Sequence, residues 1–263
     1  MERWREHFSE LLNPVKPPCD LPAFSSAARE PHALNLDPPS IADVQKALKC
    51  MKNNKTPGED GIPSEMFKSS PTLLCRLTDL FVRVWTTKTF PKDWKVSVLV
   101  PLYKKGDKAI CGNYRGISLI NHAIKIFCVI LLNRFKDARD KLTRPEQAGY
   151  RPGRGCPGQI LTIHLILQQY SRFHLPLLIA FIDFAAAFDS LIREELWRIM
   201  AEDGAPQEII EILRSAYKDT ETCVRVSGND TPKFPVEFGV KQGCPLSPIL
   251  FNYAIDWINE IMQ

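Results

Sequence analysis

Leu178-Ile179-Ala180-Phe181-Ile182-Asp183-Phe184-Ala185-Ala186-Ala187-Phe188-Asp189 is the stretch on which the fold turns. An apolar run drives into one carboxylate, and a second follows six residues later. Residues 175–182 carry no charge and are too few to span a bilayer, so they predict a buried strand. An ionised carboxylate at the end of such a strand needs a positive partner. A divalent metal ion fills that role in enzymes that move phosphoryl groups. Alternatively, Asp183 leaves the sheet at its rim and Asp189 caps the next helix; the stretch alone leaves both open.

At 263 residues the chain has room for one large domain or two small ones. Its 44% hydrophobic and 24% charged content is that of an ordinary globular protein. There is no membrane-length apolar run and no secretory leader at the start, which places the chain in the nucleus or cytoplasm. The eight cysteines form no Cys-x-x-Cys pair and are read as reduced, mostly buried thiols. The five histidines are isolated, and no chemistry is assigned to them. Net charge is +4, yet residues 101–155 hold twelve Lys or Arg against four Asp or Glu. That block is either a solvated face or a surface for a polyanion.

Upstream, Trp4, Phe8, Leu11 and Leu12 sit at helical spacing, and seven prolines in residues 14–39 mark a linker or an arm. Ser40 is a good N-cap for a helix carrying Ile41, Val44, Leu48 and Met51. Lys55 lies in an ordered loop, residues 55–63, and Ser70-Pro71 opens another helix. Residues 94–103 and 113–119 predict a β-hairpin with Lys104, Lys105 and Arg115 near its tip, well suited to a phosphate chain. Residues 120–142 form a long helix with Lys125, Arg134, Lys136 and Arg139 outward. In Gly149-Tyr150-Arg151-Pro152-Gly153-Arg154 an aromatic ring and two guanidinium groups stand among glycines, as a loop lying along a nucleic acid would have. Helices are expected over residues 159–170, 190–200 and 206–218. Two strands, residues 222–227 and 233–240, follow with a turn at Gly228-Asn229-Asp230, and a last helix starts at Ser247.

Five boxes then fall in order: Lys55-Thr56-Pro57-Gly58-Glu59-Asp60-Gly61, Asn113-Tyr114-Arg115-Gly116-Ile117-Ser118-Leu119, Gly149 to Arg154, Phe181-Ile182-Asp183 to Phe188-Asp189, and Gln242-Gly243-Cys244-Pro245-Leu246-Ser247-Pro248. Together they resemble the reverse transcriptase of non-LTR (LINE-like) retrotransposons, over residues 40–263. The resemblance implies an α+β right-hand polymerase fold: an amino-terminal helix and linker over residues 1–39, fingers over 40–172, and a partial palm with an antiparallel sheet over 173–263, without a thumb. It implies RNA-directed DNA polymerase activity with RNA template, DNA primer or target and dNTPs as partners, an upstream endonuclease in the full-length protein, and no membrane.

The resemblance also makes Asp183 the first catalytic aspartate, holding two Mg²⁺ ions with help from the Phe184 carbonyl. Phe188 becomes an aromatic gate against the 2′-hydroxyl. Lys104, Lys105 and Arg115 grip the triphosphate, Gln242 and Gly243 shape the nucleotide pocket, and Lys55, Tyr150, Arg151 and Arg154 contact nucleic acid. Asp189 is expected to cap the following helix. The family's Ala-Asp-Asp box does not occur in these residues, so the polypeptide is expected to be inactive alone. Two other readings stay open: a non-catalytic nucleic-acid-binding remnant, and a group II intron-type reverse transcriptase.

Overall fold

The computed structural model describes residues 1–15 and 30–261. Most of the expected linker, and Cys19, lie outside the described residues.

The chain begins with α1 (Glu2–Leu12), amphipathic as the spacing predicts, with Phe8 and Leu12 buried. An extended segment then leads to α2 (Ile41–Cys50). Its first turn is closed by a capping box between Ser40 and Asp43, which satisfies two backbone donors at once. Two elements follow that the hydrophobic pattern does not announce, the short α3 (Ser64–Ser69) and, after α4 (Pro71–Thr87), the single turn α5 (Lys92–Lys95). Both are shorter than the windows on which periodicity acts.

β1 (Val96–Tyr103) and β2 (Tyr114–Leu119) pair antiparallel as the expected hairpin, in register from Val98↔Leu119 to Tyr103↔Tyr114. The long α6 (His122–Leu142) comes next, then α7 (Cys156–Arg172), none of whose residues is buried. After it the chain forms α8 (Arg193–Glu202), ended by Gly204 at φ +93°, and α9 (Gln207–Tyr217). β3 (Glu221–Val226), β4 (Asn229–Asp230), β5 (Phe234–Pro235) and α10 (Ser247–Ile261) complete the described chain.

The architecture is mixed α+β, with one small sheet and a larger helical part. The sheet order is β2-β1-β3-β4, with β5 also against β3. β1 and β3 run parallel, pairing Val96↔Glu221 to Leu99↔Val224, so one sheet holds both the hairpin and the later strands. A separate, wholly antiparallel sheet in the last third is therefore corrected. The main core draws on α2, α4, α6, α8, α9 and α10, with Phe81, Phe127, Trp197 and Tyr253 among its most buried side chains. A second cluster seats Phe8 and Leu12 of α1 on Leu99, Val224 and Phe234 of the sheet.

Several expectations are overturned, and each has a physical cause. Residues 175–182 are not a strand. They have no regular structure, and Leu178 and Phe181 are 95% and 85% exposed. Both interior neighbours of β1 and of β3 are already filled, so no interior place in the sheet is left for this segment. The turn between β3 and β4 is Ser227-Gly228, at φ +52° and +82°, and Asn229-Asp230 pairs with β3 instead. A two-residue turn with both φ positive matches strand twist, and the Asp230 carboxylate is thereby free to pair with Arg225 at 2.6 Å. The strand expected over 233–240 shrinks to two residues. Arg193 takes the backbone carbonyls of Val236, Phe238 and Gly239, which a longer ladder would have used.

Arg134 and Arg139 do not face outward. Arg134 lies 4.4 Å over the Trp85 ring and donates to the Asn35 carbonyl. Arg139 is 2% exposed, stacked 4.3 Å from the Tyr253 ring and bonded to Asp256 and Asp203. A buried arginine on an apolar helix face needs carboxylates from elsewhere, which spacing along one helix cannot reveal. All seven described cysteines are free, but only Cys128, Cys223 and Cys244 are buried; Cys50, Cys75 and Cys156 are exposed.

Candidate nucleotide and nucleic-acid site

The hairpin positions the first group of candidates. Arg115 pairs with Leu102, so both leave the same sheet face, and Lys104, two residues on from Leu102, emerges on that side. The tip is well ordered. Lys104 N donates to the Asn113 carbonyl at 2.9 Å, the Tyr103 hydroxyl donates to the Gly106 carbonyl at 2.6 Å, and Asn113 Nδ2 donates to the Asp107 carbonyl at 2.8 Å. Gly106 turns the chain at φ +87°, a conformation open to glycine at little cost. Lys104, Lys105 and Arg115 are exposed, and none of the three forms an ion pair among the described residues.

The Gln242-Gly243 turn is built against this hairpin. Ser118 N on β2 donates to the Gln242 carbonyl at 2.8 Å, and Ser247 Oγ, at the start of α10, donates to the Lys241 carbonyl at 2.7 Å. Gly243 has φ +121°, and a Cβ there would lie 2.7 Å from the Ser118 carbonyl oxygen. On its other side the same segment holds the box around Phe188. Val240 N donates to the Phe188 carbonyl and Gly239 N to the Leu191 carbonyl, both at 2.8 Å. Arg115, Gln242, Gly243 and Phe188 thus belong to one continuous piece of structure, drawn from three parts of the chain.

Phe188 stacks on Phe251 of α10 at 4.9 Å between centroids and meets the edge of Tyr150 at 5.8 Å. Tyr150 sits at φ +57° and is 62% exposed. Its loop is tied down by its own arginine. Arg151 donates through Nε to Asp140 Oδ1 at 2.7 Å and to the carbonyls of Asp140, Arg144 and Gln147, and its side chain is 7% exposed. Arg154 is exposed and donates to the Pro145 carbonyl. Lys55 is exposed on a loop anchored at Gly58, where a Cβ would lie 2.1 Å from Asn121 Oδ1.

Asp183 and Phe184 stand apart from this assembly, exposed in the segment that the sheet does not take up. Among the described residues no three His, Cys, Asp or Glu side chains gather as metal ligands. Asp189 does not cap α8, whose N-cap is Ile192 with no side-chain bond. Asp189 instead lines a small cavity of about 20 Å³ beside α1, with Ser118, Lys241 and Gln242, and burial pushes its carboxyl up to about 6.

Sequence reasoning missed the groups packed beneath and beside the turn. Lys241 is half-buried, but its Nζ is sealed from solvent and lacks a hydrogen-bond partner among the described residues, and burial of that ammonium pushes it down to about 8. A hydrogen bond from Cys128, one from the Leu246 backbone N–H and the nearby Lys241 ammonium hold the Cys244 thiol below its usual range. Asn252, 3% exposed, was missed as well, although an amide on the apolar stripe of Ile249, Leu250 and Tyr253 was a visible signal.

Residues 102–263 match the family described as reverse transcriptase (RNA-dependent DNA polymerase), and the chain belongs to that family. Among its relatives is the transposon TX1 uncharacterized 149 kDa protein of Xenopus laevis, 28% identical over 269 aligned residues, covering 97% of this chain and 20% of that protein. The retrovirus-related Pol polyprotein from the type-2 retrotransposable element R2DM of Drosophila melanogaster is 27% identical over 204 residues, covering 77% of this chain and 19% of that protein. The probable RNA-directed DNA polymerase from transposon BS, also of Drosophila melanogaster, is 25% identical over 253 residues, with 94% and 26% covered. The chain thus spans about a fifth to a quarter of the length of these relatives.

Proposed function

We propose that this chain supplies the nucleotide- and nucleic-acid-holding part of an RNA-directed DNA polymerase that copies a retrotransposon RNA onto a DNA primer. Residues 40–172 act as fingers and residues 173–263 as the upstream palm, with residues 1–39 leading from an endonuclease in the full-length protein. Its place of work is the nucleus or cytoplasm; no helix of the described residues is long and apolar enough to cross a membrane.

One observation carries the reading. Three cations at an ordered hairpin tip, Lys104, Lys105 and Arg115, stand without ion-pair partners on the strand pair that braces the Gln242-Gly243 turn. Arg forks onto two phosphate oxygens, Lys adds point charge, and the turn fixes one wall of the nucleotide pocket. Phe188 forms the wall that meets the sugar, and Tyr150 and Arg154 face the template strand.

The family implies Mg²⁺, with Asp183 and the Phe184 carbonyl as first ligands. A two-ion site needs several carboxylates converging on one point, and Asp183 is exposed without them. The donor set among the described residues does not fit the ion pair, so binding and orientation are the roles assigned to these residues. That mismatch favours a binding role for this polypeptide by itself.

Fluorescence anisotropy of a dye-labelled dNTP, titrated with the protein, tests the proposal. The Lys104→Ala/Lys105→Ala/Arg115→Ala variant should bind it about tenfold or more weakly, the order expected for lost charge-assisted hydrogen bonds to phosphate. Identical curves for variant and parent would overturn it. Primer extension with dNTPs and Mg²⁺ should yield no templated product. Product that disappears on Asp183→Ala would show that the carboxylates do assemble in solution.

A further inference from the structure

Two neighbouring residues of α10 hold two distant parts of the site. Phe251 stacks on Phe188, and Asn252 binds the loop that carries Tyr150. The Asn252 side chain uses both ends of its amide. Nδ2 donates to the Gly149 carbonyl at 3.2 Å, and Oδ1 accepts from Gln147 Nε2 at 3.2 Å. A buried amide satisfied on both sides fixes its partners in place, because breaking either bond strands a polar group away from water. Gly149 immediately precedes Tyr150, so the clasp acts on the peptide that sets the direction of the ring. That ring is held at φ +57°, a conformation disfavoured for tyrosine, which persists only where its surroundings enforce it.

Arg151 anchors the far side of the same loop to Asp140, Arg144 and Gln147. With the loop fixed from both sides, Tyr150 meets Phe188 edge to face, at 5.8 Å and 89°. Phe188 is itself backed by Phe251 at 4.9 Å and 20°. The Tyr150 ring nonetheless remains 62% exposed, which leaves it open to solvent at the end of an ordered aromatic row. An exposed aromatic ring held in fixed orientation is a stacking platform, and every nucleobase has a π-face to offer it.

We propose that Asn252 is a positioning residue: it holds Tyr150 against Phe188 so that the exposed Tyr150 ring receives an unpaired template base beside the sugar gate. The inference rests on the reading of Tyr150 and Phe188 given above, and it assigns the partner of that surface as a base by stacking rather than a phosphate by charge. Gln147 completes the clasp from the loop side.

The probe is a primer–template whose first unpaired template base is 2-aminopurine, bound to the full chain. Quenching reads stacking and anisotropy reads affinity. Tyr150→Ala should abolish most of the quenching and weaken binding about fivefold or more. Asn252→Ala should also lose most of the quenching, with binding about 2- to 10-fold weaker, the range for lost neutral hydrogen bonds. In the Tyr150→Ala background, Asn252→Ala should have no further effect, because it acts only through that ring. If Asn252→Ala quenches like the parent, or weakens binding equally in both backgrounds, Asn252 is merely structural and the proposal falls. If Tyr150→Ala itself quenches normally, the base does not sit on Tyr150; then the reading of that residue fails first and the proposal with it. Gln147→Ala, at a half-buried position, opens the same clasp should Asn252→Ala fail to fold, and is judged by the same outcomes.

Discussion

Asp189 lines a cavity with room for about one water, and among the described residues its carboxyl has no hydrogen-bond partner. Burial raises its folded-state pKa from 3.8 to about 6. Between those values the folded protein holds the proton and the unfolded chain does not, so stability declines as pH rises through that window and stays lower above it. Asp189→Asn should therefore raise stability at pH 7.5 by on the order of 2 kcal/mol, allowing for the group's partial exposure, and flatten the pH dependence between 4 and 7. Urea unfolding at a series of pH values reads both effects. An unchanged midpoint at pH 7.5 would mean the carboxylate is well solvated after all. Asp189 shows how the chain's residues were legible in type but not in role. Its six-residue spacing from Asp183 identified a special stretch, while its burial depends on α1 and on Gln242, which come from opposite ends of the chain.

Among the elements, the helices were legible nearly to the residue where a cap or a glycine marks the end, as at Ser40, Ser70-Pro71 and Gly204. Their chemistry is local, so local sequence suffices. The hairpin was legible for the same reason. The rest of the sheet was not, since the choice of a parallel neighbour for β1 is settled by packing between segments far apart. The docking of α1 belongs to this second kind. Gly116 lets Phe8 and Leu99 meet across β2, and a Cβ there would lie 2.2 Å from Leu99 Cδ2 and 2.8 Å from Phe8 Cε1. Gly116→Ala should therefore unseat α1 and cost about 1–3 kcal/mol, the usual range for overpacking. A parallel loss of protection for amides of α1 in hydrogen exchange would tie that cost to the helix, whereas normal protection would show that the core yields elsewhere.

At the level of the whole molecule, residues 175–182 carry the sharpest difference between pattern and structure. The run is apolar enough to be an inner strand, and hydrophobicity alone cannot distinguish a buried segment from one whose place is taken. With Leu178 95% exposed, Leu178→Lys should shift stability by less than about 0.5 kcal/mol. A loss of several kcal/mol on thermal or chemical unfolding would show that the segment is packed in solution. The candidate site divides in the same way. Its cationic hairpin, its turn and its aromatic pair lie on one continuous piece of structure, while Asp183 is left outside them. The parallel pairing of β1 with β3 also has a consequence in time. Ser97 and Thr222, which share a hydrogen bond across that pair, are 125 residues apart in the chain. At the usual ribosomal pace of about 5–20 residues per second, β1 leaves the ribosome roughly 6–25 s before its neighbour exists. Through that interval the newborn hairpin presents an unpaired backbone edge, open to pairing with another chain until β3 is made.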